Sequence, residues 1–235
     1  MNLRIMTIIS IRQPGYLPYL GFFKKIQSSD IFVFLDDVQY ERSGFDNRNK
    51  IKTVDGNMWL TVPVRNKFGQ KLNQVIIIDS EWRSNHRLSI RTNYQKAPYF
   101  SKYWDTIDEI LCSKWEKLLD LNLKLIQFFI KELRLNTKTI LSSELQIELS
   151  GSEKLLEICK KLGAKTYMSG ENGKQYLDQK IFADSKIKVI YEKFQHPIYR
   201  QINGNFISNM AIIDLLFNEG ENSKDILLNS TNLDA

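Results

Sequence analysis

Thr7-Ile8-Ile9-Ser10-Ile11 runs into Arg12-Gln13-Pro14-Gly15-Tyr16-Leu17-Pro18, and Ile31-Phe32-Val33-Phe34-Leu35 follows after some twelve residues. The first and last runs are short, apolar and rich in Ile, Val and Phe, the composition of buried strands. Between them, residues 19–27 read as a short helix after Pro18. Further strands are expected over 58–64 and 74–78, and the middle of the chain is helical, over 82–95, 103–111 and 115–133. Its clearest helix-period stripe is Trp115, Leu118, Leu119, Leu125, Ile126, Phe129 and Leu133. The last third alternates again. A short strand falls at 139–141, and Ser150-Gly151-Ser152-Glu153 has capping-box spacing before a helix that stops at Gly163. Strands at 165–168 and 188–193 flank a short helix near 174–178, and Ser208 stands where it would cap a final helix through Leu216. This alternation implies an α/β fold with a mixed or parallel sheet. One domain is expected over residues 1–220, with a helical subregion at about 80–136 and a polar, flexible tail at 221–235.

The 235 residues are 43% hydrophobic and 26% charged, with 11 Gly and 5 Pro, which excludes collagen-like and Pro/Gly-rich disordered chains. No run approaches the roughly 20 apolar residues of a membrane span. The apolar run at residues 6–11 is too short for a signal sequence, so a cytoplasmic protein is expected. The net charge of +6 favours anionic partners. Its cations are dispersed and no groove-reading motif occurs, which argues against nucleic acid. Cys112 and Cys159 lie in no CxxC or Cys/His spacing, and His86 and His196 are the only histidines. Neither a disulfide framework, a zinc site nor a cysteine nucleophile is expected.

Four segments carry chemistry. The stiff loop after the first strand presents Arg12, Gln13 and Tyr16 at a strand's C-terminal end, where α/β sheets bind ligands. Asp36 and Asp37 close the second strand, and since strand neighbours face opposite sides, only one is expected to enter a site. Asn47, Arg48, Asn49 and Lys50 supply donors suited to phosphate or sugar hydroxyls. If extended, the segment puts Asn47, Asn49 and Ile51 on one face and Arg48 and Lys50 on the other. Ser169 and Gly170, with Tyr176 beyond, form a strand–loop–helix run able to offer backbone N–H groups to an anion. Asp214, inside the apolar Ile212-Ile213-Asp214-Leu215-Leu216, is either solvated or buried with a partner.

The strings IRQPGYLPYLGFF, DIFVFLDDVQYERSGFDNRNKI, WLTVPV, YMSGENGKQYLD and IIDLLFNEG resemble, in order and spacing from about residue 8 to 220, the WbqC-like family. That family occurs in bacterial gene clusters for O-antigen and other surface polysaccharides. The resemblance implies a cytoplasmic protein acting on nucleotide-linked sugars or on their modifications. It picks out Gln13, Pro14, Tyr16, Pro18, Asp36, Asp37, Asn47, Arg48, Asn49, Lys50, Ser169, Gly170, Tyr176 and Asp214. The family usually has His where this chain has Arg12, which remains charged at neutral pH. The leading expectation is an acyl- or aminoacyltransferase that forms an amide on a nucleotide-linked amino sugar. Asn47, Arg48 and Lys50 would hold the phosphates, with Asn49 among the other substrate contacts. Asp36 or Asp37, with Tyr16 beside them, would serve as catalytic groups, and backbone N–H groups near Gly170 would support the oxyanion. Arg12, Gln13, Ser169, Tyr176 and Asp214 complete the expected substrate contacts. No bound cofactor or metal is expected. A thioester of coenzyme A or of a carrier protein would be the acyl donor. The alternatives are a metal-dependent glycosyltransferase built on the acidic pair and a non-catalytic assembly factor of the polysaccharide pathway.

Overall fold

The computed structural model describes residues 7–230. It opens on β1 (Ile8–Arg12), α1 (Leu20–Gln27) and β2 (Ile31–Phe34), the strand–loop–helix–strand unit expected of the opening residues. A long insertion follows: the hairpin β3 (Arg48–Thr53) and β4 (Gly56–Thr61), the two-residue strands β5 (Val64–Arg65) and β6 (Ile76–Ile77), and three helices. These are α2 (Trp82–Tyr94), α3 (Phe100–Cys112) and α4 (Leu118–Glu132). The chain then re-enters the sheet at β7 (Lys138–Leu141). It continues through α5 (Gly151–Lys161), β8 (Thr166–Gly170), α6 (Gln179–Asp184), β9 (Lys188–Glu192), α7 (Ile212–Glu219) and α8 (Ser223–Asn229).

The central sheet has five strands in the order β7-β2-β1-β8-β9, every neighbouring pair parallel. Strand order runs outward from β1 in both directions, so β1 and β8 flank a topological switch point. In open α/β sheets the crevice beyond the strands' C-terminal ends at such a point is where ligands sit. Both faces of the sheet are covered, as a parallel sheet requires. Ile9, Ile11, Val33 and Tyr167 pack with Leu155, Ile158, Cys159 and Phe182 of α5 and α6. Phe32 and Phe34 point the other way, onto Phe22 of α1. The larger cluster on that side continues through α2, α3, α4 and α7.

Several local expectations are corrected. The Ser150 hydroxyl makes no capping hydrogen bond. Residues 171–175 form a 3-10 turn rather than the start of a helix, and α6 begins at Gln179, where Asp178 caps it through the Lys180 N–H. The last long helix starts at Ile212 rather than near Ser208, because the Ile212 N–H donates to Pro18 O and Ala211 pairs with Tyr19. The expected flexible tail is corrected up to residue 230. Residues 223–229 are helical, Leu227 is buried, and the Leu228 carbonyl accepts from Lys24 Nζ. Apolar residues at 226–228, hidden among polar neighbours, give α8 a face to bury on α1. Residues 231–235 of that tail lie outside the described residues.

Candidate functional site

β1 ends at Arg12, and the chain leaves the sheet through the rigid Gln13–Pro18 loop. Gly15 lets this loop lie against the 41–46 turn: the Tyr16 N–H donates to Phe45 O at 3.1 Å, and a Cβ on Gly15 would stand 2.7 Å from that same oxygen. Asn122 of α4 fastens both segments from behind, its amide donating to Pro14 O and Asp46 O. Asn49 on β3 donates to Leu17 O. Between them lies a cavity of about 280 Å³, walled by Arg12, Gln13, Tyr19, Phe45, Asp46 and Asn49.

The cavity contains opposed charges. The Arg12 guanidinium sits 5.5 Å from the Tyr19 ring and 5.8 Å from the Phe22 ring, and spends no N–H on a hydrogen bond to any described residue. Asp46 is only 5% exposed. Burial raises its carboxyl to about 6. The Glu41 N–H bond opposes the rise, the Glu41 carboxylate adds to it, and Arg12 opposes it. A carboxyl held near neutrality on a cavity wall is suited to proton transfer. Phe45 and Trp59, half-exposed at 54% and 41%, lie ring to ring at 5.8 Å.

The residues expected from sequence scatter about this centre. Arg12, Gln13 and Asn49 wall the cavity. β3 shows the expected alternation, with Asn49 and Ile51 buried and Arg48 and Lys50 on the Trp59 side. Arg48 donates to Ser43 O and Gly44 O, and Asn47 to Val62 O, so both are occupied in shaping the turn and hairpin.

Asp36 and Asp37 stand away from the cavity wall, and the expected opposition of their side chains does not hold. β2 ends at Phe34, so strand alternation has stopped before the pair, and both carboxylates reach the Ser142 hydroxyl. Asp36 also accepts from the Ser143 N–H and from Asn73 Nδ2. Asp37 pairs with the buried Lys154 at 2.6 Å; burial works against ionisation there, but Lys154 and Ser142 outweigh it and the carboxyl lies below its ordinary range.

Tyr16 is wholly buried with its hydroxyl on His86 Nδ1 at 2.9 Å, and burial pushes the phenol well above its usual value. Asp214 is likewise enclosed. It accepts from Tyr94, Tyr199 and Gln201 and joins α2 and α7 to the 199–201 segment. Ser169 is buried, Tyr176 is exposed, and Gly170 is the last residue of β8, paired with β9, rather than part of a helix N-terminus. Cys159 packs in the core, its thiol pushed up to about 12 by burial.

Asp46 and Glu41, with Tyr19 and Phe45, are among the site residues that sequence reading passes over. Asp46 precedes the donor run and resembles an ordinary turn acid. Only the approach of the Gln13–Pro18 loop and Asn122 buries it.

Among curated proteins, the chain is 31% identical over 226 residues to "Uncharacterized protein Rv1507c" of Mycobacterium tuberculosis (strain ATCC 25618 / H37Rv), covering 94% of this chain and 98% of that one. No solved structure matches the chain. The family model for the WbqC-like protein family matches residues 13–226, a span that begins in the cavity's own loop and ends in α8. The chain belongs to the WbqC-like protein family.

Proposed function

We propose that the protein is an acyl- or aminoacyltransferase that forms an amide on the amino group of a nucleotide-linked amino sugar, within surface-polysaccharide assembly. The observation that carries this reading is Asp46, a carboxyl with a value near 6 on the wall of a 280 Å³ cavity that also presents the uncommitted Arg12 guanidinium. The amino sugar enters this cavity and an acyl thioester meets it at the mouth. The amine nitrogen attacks the thioester carbonyl and a C–N bond forms. Asp46 takes the proton released from nitrogen, and the thiolate leaves as the carbonyl re-forms. Phe45 and Trp59 offer apolar surface to a sugar or base at the rim.

Asp46 replaces Asp36 and Asp37 in the role of base. The same finding weakens the glycosyltransferase alternative, because the acidic pair on which it rests is engaged by Ser142, Asn73 and Lys154.

The test is a panel of nucleotide-linked amino sugars and acyl or aminoacyl thioesters, read by mass spectrometry for the amide product. Asp46→Asn is expected to lower turnover about 10²–10⁴-fold and to leave the substrate's binding constant within about threefold, since a base acts in the transition state. Absence of product with every pair, or full turnover in Asp46→Asn, sinks the reading.

A further inference from the structure

Beside the cavity, at the switch point itself, lies a charge cluster that the transfer step does not use. β1 and β8 pair Ser10 with Met168, so two residues on, Arg12 and Gly170 stand at the same level, and Gly170 in turn pairs with Glu192 of β9. Residues level across adjacent strands present their side chains to one face. Here that face is the one covered by α1, as the Arg12 contact with Phe22 shows. Arg12 and Glu192 therefore flank a gap that Gly170 leaves empty of side chain. The Lys25 ammonium of α1 projects into it, 3.8 Å from where a Gly170 Cβ would be. Lys25 is 3% exposed, and its ammonium makes no hydrogen bond to any described residue. Glu192 Oε1 is buried and also without a hydrogen-bond partner.

The charges do not cancel. Arg12, Lys25 and Lys24 all act on the single Glu192 carboxylate. Burial, and then Arg12, lower the Lys25 ammonium to about 8, with Glu192 opposing. Glu192 offsets one cation, and Lys24 is tied to Leu228 O. That leaves two unspent donor groups, one planar and one a point charge, at the C-terminal ends of β1 and β8. An internal salt bridge needs only one of them. Two together, beside a glycine gap, fit an anion with several oxygens.

We infer that Arg12 and Lys25 form the seat of the substrate's diphosphate, over Gly170, with Glu192 beside it on β9. The inference rests on the nucleotide-sugar reading for the identity of the ligand. It moves the phosphates from Arg48 and Lys50, where the sequence suggests them, to the switch point, and sets the sugar in the adjoining cavity that Arg12 also walls.

The experiment is calorimetry of the whole protein with inorganic pyrophosphate, UDP and farnesyl diphosphate at fixed ionic strength. Wild-type protein is expected to bind pyrophosphate, and Arg12→Met and Lys25→Met each to weaken it about tenfold or more. Gly170→Ala should bind within about threefold, because its Cβ meets Lys25 only at ordinary contact distance. Gly170→Asp should lose binding while keeping or raising its thermal midpoint, since its carboxylate takes the anion's place. The backbone there has φ −74°, which any residue adopts. This variant decides the matter even if Lys25→Met fails to fold.

Failure of wild-type protein to bind both pyrophosphate and UDP, or undiminished binding in Gly170→Asp, overturns the inference. Tighter binding of UDP than of farnesyl diphosphate supports the nucleotide assignment, and the reverse order overturns it. Pyrophosphate carries neither sugar nor amine, so the two readings separate. Phosphate binding without amide synthesis defeats the transferase alone, and amide synthesis without phosphate binding defeats the seat alone.

Discussion

Burial acts on Asp46 and His86 with opposite sign, and the two effects meet in one pH window. Asp46 has a folded value of about 6 against an ordinary 3.8. Between those values the folded state binds more protons than the unfolded, so stability is greatest in acid and falls as pH rises through 6, by about 3 kcal/mol in all. For His86, burial lowers the ring to about 4, with a backbone bond to Thr61 in opposition. Its stability is complete above 6.5 and is lost as pH falls through 4, again by about 3 kcal/mol. Acidification from pH 7 to 4 thus gains at one group nearly what it loses at the other. Asp46→Asn should remove the gain. Urea midpoints measured from pH 4 to 7 are expected to fall more steeply toward acid in the variant than in wild-type protein. Parallel curves for the two proteins would show that Asp46 is not raised by its site. With Asp46 as the proposed base, the rate should also rise through pH 6.

Among elements, the end of β2 is fastened to α5 by one buried ion pair. Lys154 and Asp37 have side chains 3% and 10% exposed, and Lys154 also donates to Ile147 O. Removing one member strands the other charge in the interior, which costs about 3–5 kcal/mol. Lys154→Met is expected to lose that much by chemical denaturation. Arg83→Met, which breaks an i,i+4 bridge to the exposed Asp79, should lose under about 1 kcal/mol. Equal losses would mean that the Asp37 carboxylate finds water. The Gln13–Pro18 loop is a second such junction. With Phe45 O only 2.7 Å from a Gly15 Cβ, Gly15→Ala must push the loop off the 41–46 turn. A stability loss of about 1–3 kcal/mol is expected, together with weaker nucleotide-sugar binding in calorimetry. Unchanged binding would show that the cavity does not depend on that close approach.

For the molecule as a whole, the C-terminal helices close the structure over its first ones. α7 docks on the insertion through Tyr94, Phe100 and Phe217, and α8 lies on α1 with Leu227 fully buried. Leu227→Ala should cost about 2–5 kcal/mol, or roughly 2–4 °C of thermal midpoint for each kcal/mol in a chain of this size. Lys24 and Lys25 sit on the helix that α8 covers, so the same variant should also weaken pyrophosphate binding. A midpoint within 1 °C of wild type would return residues 223–229 to the status of a dispensable tail. At this scale too, bound nucleotide-sugar should stabilise the whole fold by about 2.7 kcal/mol at a hundredfold excess over Kd. A thermal-shift series against UDP-, dTDP- and GDP-sugars checks it, and a shift with none of them would count against the nucleotide-sugar reading.

The α/β class, the opening strand–loop–helix–strand unit and the stiff loop at the C-terminal end of β1 were legible in the sequence. Each is a local property: short apolar runs, proline-fixed backbone and a periodic stripe in α4 declare themselves over a few residues. So was the alternation of Asn49 and Ile51 against Arg48 and Lys50, which follows from the pleat alone. Strand order was not, because which edge of β1 receives β8 depends on packing between distant segments. Nor were the roles of individual charges. Asp36 and Asp37 look like reactive acids along the chain and Asp214 like a substrate contact, and only the folded structure supplies Ser142, Lys154 and Tyr94 to engage them. Asp46 and Lys25 look like surface charges. A loop brought over the first, and β8 and β9 placed beside the second, take them out of water, and desolvation belongs to the tertiary structure rather than to any stretch of sequence.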